Sequence, residues 1–159
     1  GAGFENINID LMFAIPGQTM ETWQSTMDEA SALGSEHLSC YEVIYEEDTP
    51  LYEQLQAGEF DVDEALACAM YDRLIDTAAA AGFSQYEVAN FARHEGEPDA
   101  ELPSRACRHN INYWRGGACQ ALGPSASGFV DGRRIRNVAN TERYCEQLVL
   151  GQRAHESVE

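Results

Sequence analysis

Between Asn6 and Ala14 apolar and polar positions alternate. Ile7, Ile9, Leu11 and Phe13 share one parity; Asn8, Asp10, Met12 and Ala14 share the other. A period of two with one apolar face predicts a β-strand packed against helices on that face. The opposite face carries polar Asn8 and Asp10, which suits a barrel lumen or a ligand site. Pro16-Gly17-Gln18-Thr19 predicts a turn with Thr19 as the helix N-cap. Met20, Trp23, Met27, Ala30 and Leu33 then recur at helical spacing, and Gly34 stands at the C′ position.

The alternation continues. Leu38 to Tyr45 predicts a second strand, followed by the acidic loop Glu46-Glu47-Asp48-Thr49-Pro50. Leu51 to Ala57 predicts a short helix ending at Gly58. Asp61, with Glu64 three residues on, resembles a capping box for a long helix reaching about Ala81. Its expected apolar face is Leu66, Ala69, Met70, Leu74, Ala78 and Ala81, and Gly82 ends it. Phe83 to Val88 predicts a third strand. Residues 90–108, with Pro98 and Pro103, read as an excursion loop, and Asn110 to Trp114 as a short aromatic strand. The Gly- and Ser-rich stretch 116–132 reads as a loop winding around a site. Thr141 to Leu150 predicts a last helix with Tyr144, Leu148 and Val149 as its apolar side.

The order is βα, βα, β and a tail. Strands alternating with helices imply an α/β fold with a parallel sheet and right-handed crossovers. Three strands are few for a parallel sheet covered on both faces. The expectation is therefore an interior piece of a larger domain, with further strands upstream. The absence of an initiator Met points the same way.

Composition narrows the function classes. The chain has 159 residues, 44% of them hydrophobic and 23% charged, which argues against disorder. No apolar run approaches the about 20 residues of a membrane helix, and the N-terminus is not a secretory signal. The net charge is −17, from 27 acidic and 10 basic residues, and the acidity reads as spread along the chain. Phosphate-backbone binding rests on Lys and Arg, so nucleic acid is not an expected partner. Five widely spaced cysteines, Cys40, Cys68, Cys107, Cys119 and Cys145, form no disulfide framework and no self-contained zinc or cluster motif. Reduced thiols in a cytoplasmic protein are the simplest reading.

Two segments could carry chemistry. Asp10 sits mid-strand, opposite the helix-facing parity. Two readings stay open: a lumen carboxylate bonded to a neighbouring strand, or a carboxylate accepting hydrogen bonds from a ligand's hydroxyls or amine. Cys107-Arg108-His109-Asn110-Ile111-Asn112-Tyr113-Trp114 gathers two aromatics, an imidazole and a thiol. A satisfied core His competes there with a ligand-handling one; in an extended stretch Cys107 and His109 would share a side, but two ligands do not make a metal site. The small-residue loop Gly123-Pro124-Ser125-Ala126-Ser127-Gly128 permits close backbone approach but matches no nucleotide fingerprint. Glu42 and Glu87 lie within strands and could face one cavity.

These segments resemble a known family. Asn8-Ile9-Asp10-Leu11-Met12-Phe13-Ala14-Ile15-Pro16-Gly17-Gln18-Thr19 resembles the NIDL-x-x-GLPGQT strand and turn of radical S-adenosylmethionine proteins related to oxygen-independent coproporphyrinogen III oxidase. Tyr86-Glu87-Val88-Ala89-Asn90-Phe91-Ala92-Arg93 resembles their YEISNFA segment. His109-Asn110-Ile111-Asn112-Tyr113-Trp114 matches the HN-x-x-YW pattern of the HemW-like heme-chaperone branch, and Ala121-Leu122-Gly123-Pro124-Ser125-Ala126 is similar to its GLGPSA loop. The matches occur in order over nearly the whole chain.

The resemblance implies the C-terminal part of a partial (β/α)6 TIM-like barrel with a [4Fe-4S] cluster and S-adenosylmethionine at its top. Residues 1–92 would be its later βα units, and 93–159 a loop-rich segment after the barrel ending in a helix. The family's cofactor-contacting Asp maps onto Asp10, with a backbone contact near Ile44. Heme handling maps onto His109, beside Tyr113 and Trp114. The implied function is heme binding and delivery to acceptor proteins; the alternative is oxidative decarboxylation of a porphyrinogen. There are departures. The cluster motif C-x-x-x-C-x-x-C is absent and is expected upstream, so the piece itself is expected to hold no cluster and to be inactive. Ser127 stands where family members commonly have His in a GAHSF or SAHSF run. The family's winged-helix-like region is expected beyond Glu159.

Overall fold

A computed structural model describes residues 3–96 and 101–158. Pro98, and Gly1, Ala2 and Glu159 at the ends, lie outside the described residues. Among the described residues no helix is long and apolar enough to cross a membrane. The chain divides into two units, Gly1–Ala106 and Cys107–Glu159.

In unit 1 the elements are β1 (Asn8–Phe13), α1 (Met20–Ala32), β2 (His37–Glu42), α2 (Pro50–Gln56), α3 (Glu64–Ala80), β3 (Phe83–Glu87) and β4 (Asn90–Arg93). The sheet order is β1-β2-β4-β3. β1 and β2 pair in parallel, Asp10 opposite Ser39, as a βα unit requires. β4 corrects the expected loop. It turns back from β3, pairs antiparallel with it, and pairs antiparallel with β2 on its other side. β2 and β3 thus share a direction, but the purely parallel sheet does not form. Asn90-Phe91-Ala92-Arg93 is too short to show a period in sequence, yet Asn90, Phe91 and Ala92 are all buried.

The core lies on one face of this sheet. Phe13, Leu38, Cys40, Phe83 and Phe91 meet Trp23, Met27 and Ala30 of α1 and Met70, Leu74 and Ala78 of α3. Trp23 is fully buried, and its indole N–H donates to the Met70 carbonyl at 3.0 Å. Phe13 packs on Trp23 with ring centroids 5.5 Å apart. Each such ring removes enough apolar surface to contribute roughly 1.5–3 kcal/mol. Thr19 caps α1 by accepting from Thr22 N–H at 3.2 Å. Three expectations shift by a residue or two. Leu33 is the C-cap of α1 and is 76% exposed. Asp63, not Asp61, caps α3, accepting from Leu66 N–H at 2.9 Å. The buried stripe of α3 is Ala67, Met70, Leu74 and Ala78, and the expected Ala69 is exposed.

Unit 2 comprises α4 (Arg108–Trp114), β5 (Ser127–Val130), β6 (Arg133–Asn137), α5 (Thr141–Val149) and β7 (His155–Val158). Its antiparallel sheet has the order β5-β6-β7. Residues 110–114, expected as a strand, are helical. Arg115 N–H donates to the Ile111 carbonyl at 3.0 Å, and Gly116, at φ +74°, closes the last turn. The aromatics suggested a strand, but the glycine stop signal decides. On α5, Leu148 and Val149 are 50% and 86% exposed, so the expected apolar side is not buried. Gly128 is obligatory in β5: a Cβ there would sit 2.6 Å from the Ala121 N and the Cys119 O.

The charge is not spread evenly. Unit 2 holds seven arginines (108, 115, 133, 134, 136, 143 and 153) and five carboxylates (131, 142, 146, 156 and 159), a net +2. Unit 1 therefore carries −19 against the total of −17.

Candidate functional site

The face of the unit 1 sheet opposite the helices is polar. Asn8 and Asp10 of β1, His37 and Ser39 of β2 and Asn90 of β4 share the parity opposite the core. They are bonded across all four strands. Asn8 Nδ2 donates to Asp10 Oδ1 at 2.6 Å. His37 Nδ1 lies 2.6 Å from Asn8 Oδ1, and His37 Nε2 lies 2.6 Å from Tyr86 Oη. Ser39 Oγ stands 3.2 Å from Asn8 Oδ1 and 3.1 Å from Asn90 Oδ1. Asn90 Nδ2 donates to Glu87 Oε2 at 2.8 Å. His37, Ser39 and Asn90 are buried; Asn8 and Asp10 are exposed at the edge.

Burial sets the electrostatics. It pushes the His37 imidazole below its ordinary value, against the opposing pull of Asp10. Burial, with Asp10 adding to it, pushes the Cys40 thiol up to about 12, so no thiolate is available there. Burial would raise Glu87, but the N–H groups of Ala89 and Val88 and the Asn90 amide outweigh it and hold the carboxyl below its ordinary value.

Ile44 lies elsewhere. It is 72% exposed and lines an open groove of about 730 Å3 beyond the ends of β1 and β2, with Tyr41, Glu42, Tyr45, Tyr71 and Val88. Asp10 is not among the lining residues, and neither is Glu87, so Glu42 and Glu87 do not share this cavity. Ile44 follows Ser39, the partner of Asp10, by five residues, roughly 16 Å at about 3.3 Å per residue. The groove's tyrosines and aliphatic walls offer a partly apolar surface to a flat ring.

In unit 2, Tyr113 and Trp114 line a second open groove, of about 490 Å3, with Ser127, Gly128, Phe129 and Arg134. His109 is exposed and is not one of these lining residues, so it is no satisfied core His. It sits four residues before Tyr113 on α4, which puts both on one helix face. Cys107 is the residue before the helix, so it and His109 are not the adjacent pair of an extended stretch. Among the described residues no group of three or more His, Cys, Asp or Glu could hold a metal ion. An iron–sulfur cluster therefore finds no ligand set in them.

The sequence did not single out His37, Ser39, Tyr86 or Arg134 as a set. A signal existed in β2, where His37, Ser39 and Tyr41 alternate with Leu38 and Cys40. No signal in one sequence could pair β2 with Tyr86, because that contact depends on β4 intervening.

Comparison with known proteins locates the chain. No family model matches it. It is 34% identical over 158 residues to the heme chaperone HemW of Lactococcus lactis, covering 99% of this chain and 39% of that protein. The heme chaperone HemW of Bacillus subtilis is 33% identical over 147 residues, covering 92% of this chain and 36% of the relative. The zebrafish (Danio rerio) radical S-adenosyl methionine domain-containing protein 1, mitochondrial, is 36% identical over 124 residues, 77% of this chain and 26% of that one. The chain thus spans about two-fifths or less of the length of these relatives. Among solved structures, coproporphyrinogen III oxidase (HemN) of Escherichia coli, a radical SAM enzyme, matches with a TM-score of 0.74 and 20% identity, over 99% of this chain and 37% of that one. That likeness shows a shared mixed α/β fold. Over most of its length the chain is thus similar in sequence to proteins named heme chaperone HemW and radical S-adenosyl methionine domain-containing protein 1, and it shares the fold of the HemN structure.

Proposed function

We propose that this chain forms part of a heme-handling protein, in which unit 1 contributes the later strands of a partial (β/α)6 barrel and contacts S-adenosylmethionine, and unit 2 contacts heme for delivery to acceptor proteins. The observation that carries the heme half is the groove of unit 2. Tyr113, Trp114 and Phe129 offer aromatic surface to a planar macrocycle, and Arg134, exposed at the same groove, offers a cation to its carboxylates. His109, one helical turn before Tyr113 on the same face of α4, supplies an imidazole.

For the adenosyl cofactor, Asp10 would accept hydrogen bonds from hydroxyl or amine groups, and the groove at Ile44 would take the ring. When bound, that cofactor supplies radical chemistry in proteins of this family. The chain's own residues bind and orient it; no iron–sulfur ligand set exists among the described residues, and no step is drawn through a cluster.

Heme titration followed by absorbance tests the reading. His109→Ala, Tyr113→Ala and Trp114→Ala should each weaken heme binding, the aromatic truncations by about three- to tenfold. Unchanged titrations in all three variants would sink the assignment. Turnover of coproporphyrinogen III by the protein would favour an oxidase over a chaperone.

A further inference from the structure

An ionised carboxylate can only accept hydrogen bonds. Asp10 and Glu87, at opposite ends of the polar face, therefore decide how every group between them is turned. Asn8 must present its NH2 to Asp10, so its carbonyl oxygen faces β2. His37 Nδ1, 2.6 Å from that oxygen, must then carry the ring proton. Burial favours the neutral ring; in that form Nε2 is an acceptor, and the Tyr86 hydroxyl, 2.6 Å away, donates to it. The protons all point one way, from β3 through β2 to β1. Each bond polarises the next, in a part-buried setting from Tyr86 through His37 to Asn8. On the other side Asn90 gives its NH2 to Glu87 and turns its carbonyl to Ser39. Ser39 has one hydroxyl proton for two carbonyl oxygens, so it cannot replace His37 as the full-time donor to Asn8.

We propose that Tyr86 and His37 act through Asn8 as positioning residues for Asp10, forming a one-way hydrogen-bond relay across three strands that fixes the Asp10 carboxylate at the exposed edge of the sheet. The relay explains why Asn8-Ile9-Asp10 and Tyr86-Glu87 belong together although 75 or more residues separate them. It makes His37, in neither segment, the link between them. The ligand arm of its test rests on the reading of Asp10 as a contact for S-adenosylmethionine; the other arms do not.

Long-range proton–nitrogen spectra of the 15N-labelled chain read the His37 tautomer directly. The relay requires the Nδ1–H form, and an Nε2–H ring would overturn it. The 13C carboxyl resonance of Asp10 should move in Tyr86→Phe and in His37→Leu. It should return toward its native position in His37→Asn, which keeps a donor toward Asn8. Ser84→Ala, exposed on the same strand as Tyr86, should leave it in place. An Asp10 resonance indifferent to Tyr86→Phe would also overturn the proposal. With S-adenosylmethionine as the calorimetric probe, Tyr86→Phe should weaken binding about three- to tenfold, and add nothing in an Asp10→Ala background. Equal losses in both backgrounds would make Tyr86 merely structural. If Asp10→Ala alone leaves affinity unchanged, the ligand reading of Asp10 fails, and the tautomer and the carboxyl resonance still decide the relay.

Discussion

Unit 1 and unit 2 are stabilised by different physics. Unit 1 has a two-sided sheet: one face is sealed by α1 and α3 over Trp23, Met70 and Phe91, and the other is a bonded polar surface. Unit 2 buries little beyond Gly128, Asn137, Val138 and Ala154. Its order comes from an antiparallel ladder and from Asn137, whose amide reaches two loop carbonyls, those of Ala121 at 3.1 Å and Gly123 at 2.9 Å. The charges divide in the same way, −19 against +2. A buried apolar face lets the opposite face be spent on chemistry. A unit with almost no core must instead use its polar groups to hold its own loops.

The sharpest way to break this contrast is to remove the central ring of unit 1. Trp23→Ala deletes a fully buried side chain and its bond to the Met70 carbonyl, and should cost about 3–5 kcal/mol in denaturant unfolding. A loss under about 1 kcal/mol would show that the core is not what holds the sheet. The matching change in unit 2 is polar. Asn137→Ala leaves two loop carbonyls without their donor, and should cost about 1–3 kcal/mol. Amide exchange should rise first around Ala121 to Gly123, and uniform protection there would contradict the tie.

How much of this was legible in the sequence follows the same division. The strand β1, its turn and the Thr19 cap were readable because period two, a proline–glycine turn and a capping residue are local signals. Ile9, Leu11 and Phe13 face the helices as their parity predicts. β4 was not readable, because four residues hold too few periods and its pairing is set by β2 and β3. In unit 2 the helix at Arg108–Trp114 was misread through its aromatics. The hairpin between β5 and β6 was missed although Asp131-Gly132 announces it. Both residues take positive φ, +51° and +75°, the pairing that a two-residue hairpin turn demands. The candidate site divides likewise. Asp10, Tyr113 and Trp114 stand out as candidates in the sequence, but the His37–Tyr86 contact and the groove that joins Tyr113 and Trp114 to Arg134 exist only once distant strands meet.

The smallest effect is one of pH, and it should fall on unit 1. Two of its groups, His37 and Glu87, have titrations lowered from their ordinary values, and the signs agree. The His37 pKa is lowered by burial, so the unfolded chain binds the proton first. Stability from the neutral ring is complete above the unfolded value of about 6.5, and is lost as pH falls through that value toward the folded one. Glu87 is held low by the Ala89 and Val88 amides and by Asn90, despite its burial. Its contribution is present above about 4.5 and is lost further down. Between these two thresholds most carboxylates remain ionised, so the self-repulsion of the −19 unit is not yet relieved and cannot mask the loss. Denaturant midpoints taken from pH 7 to pH 5 should therefore fall. In His37→Gln, which has no proton to take up, the curve over that interval should be flatter, even if the variant starts from a lower stability. A His37→Gln curve as steep as the native one would assign the acid sensitivity to other groups. A native curve that rises on acidification would mean that relief of charge repulsion, rather than the buried imidazole, governs unit 1.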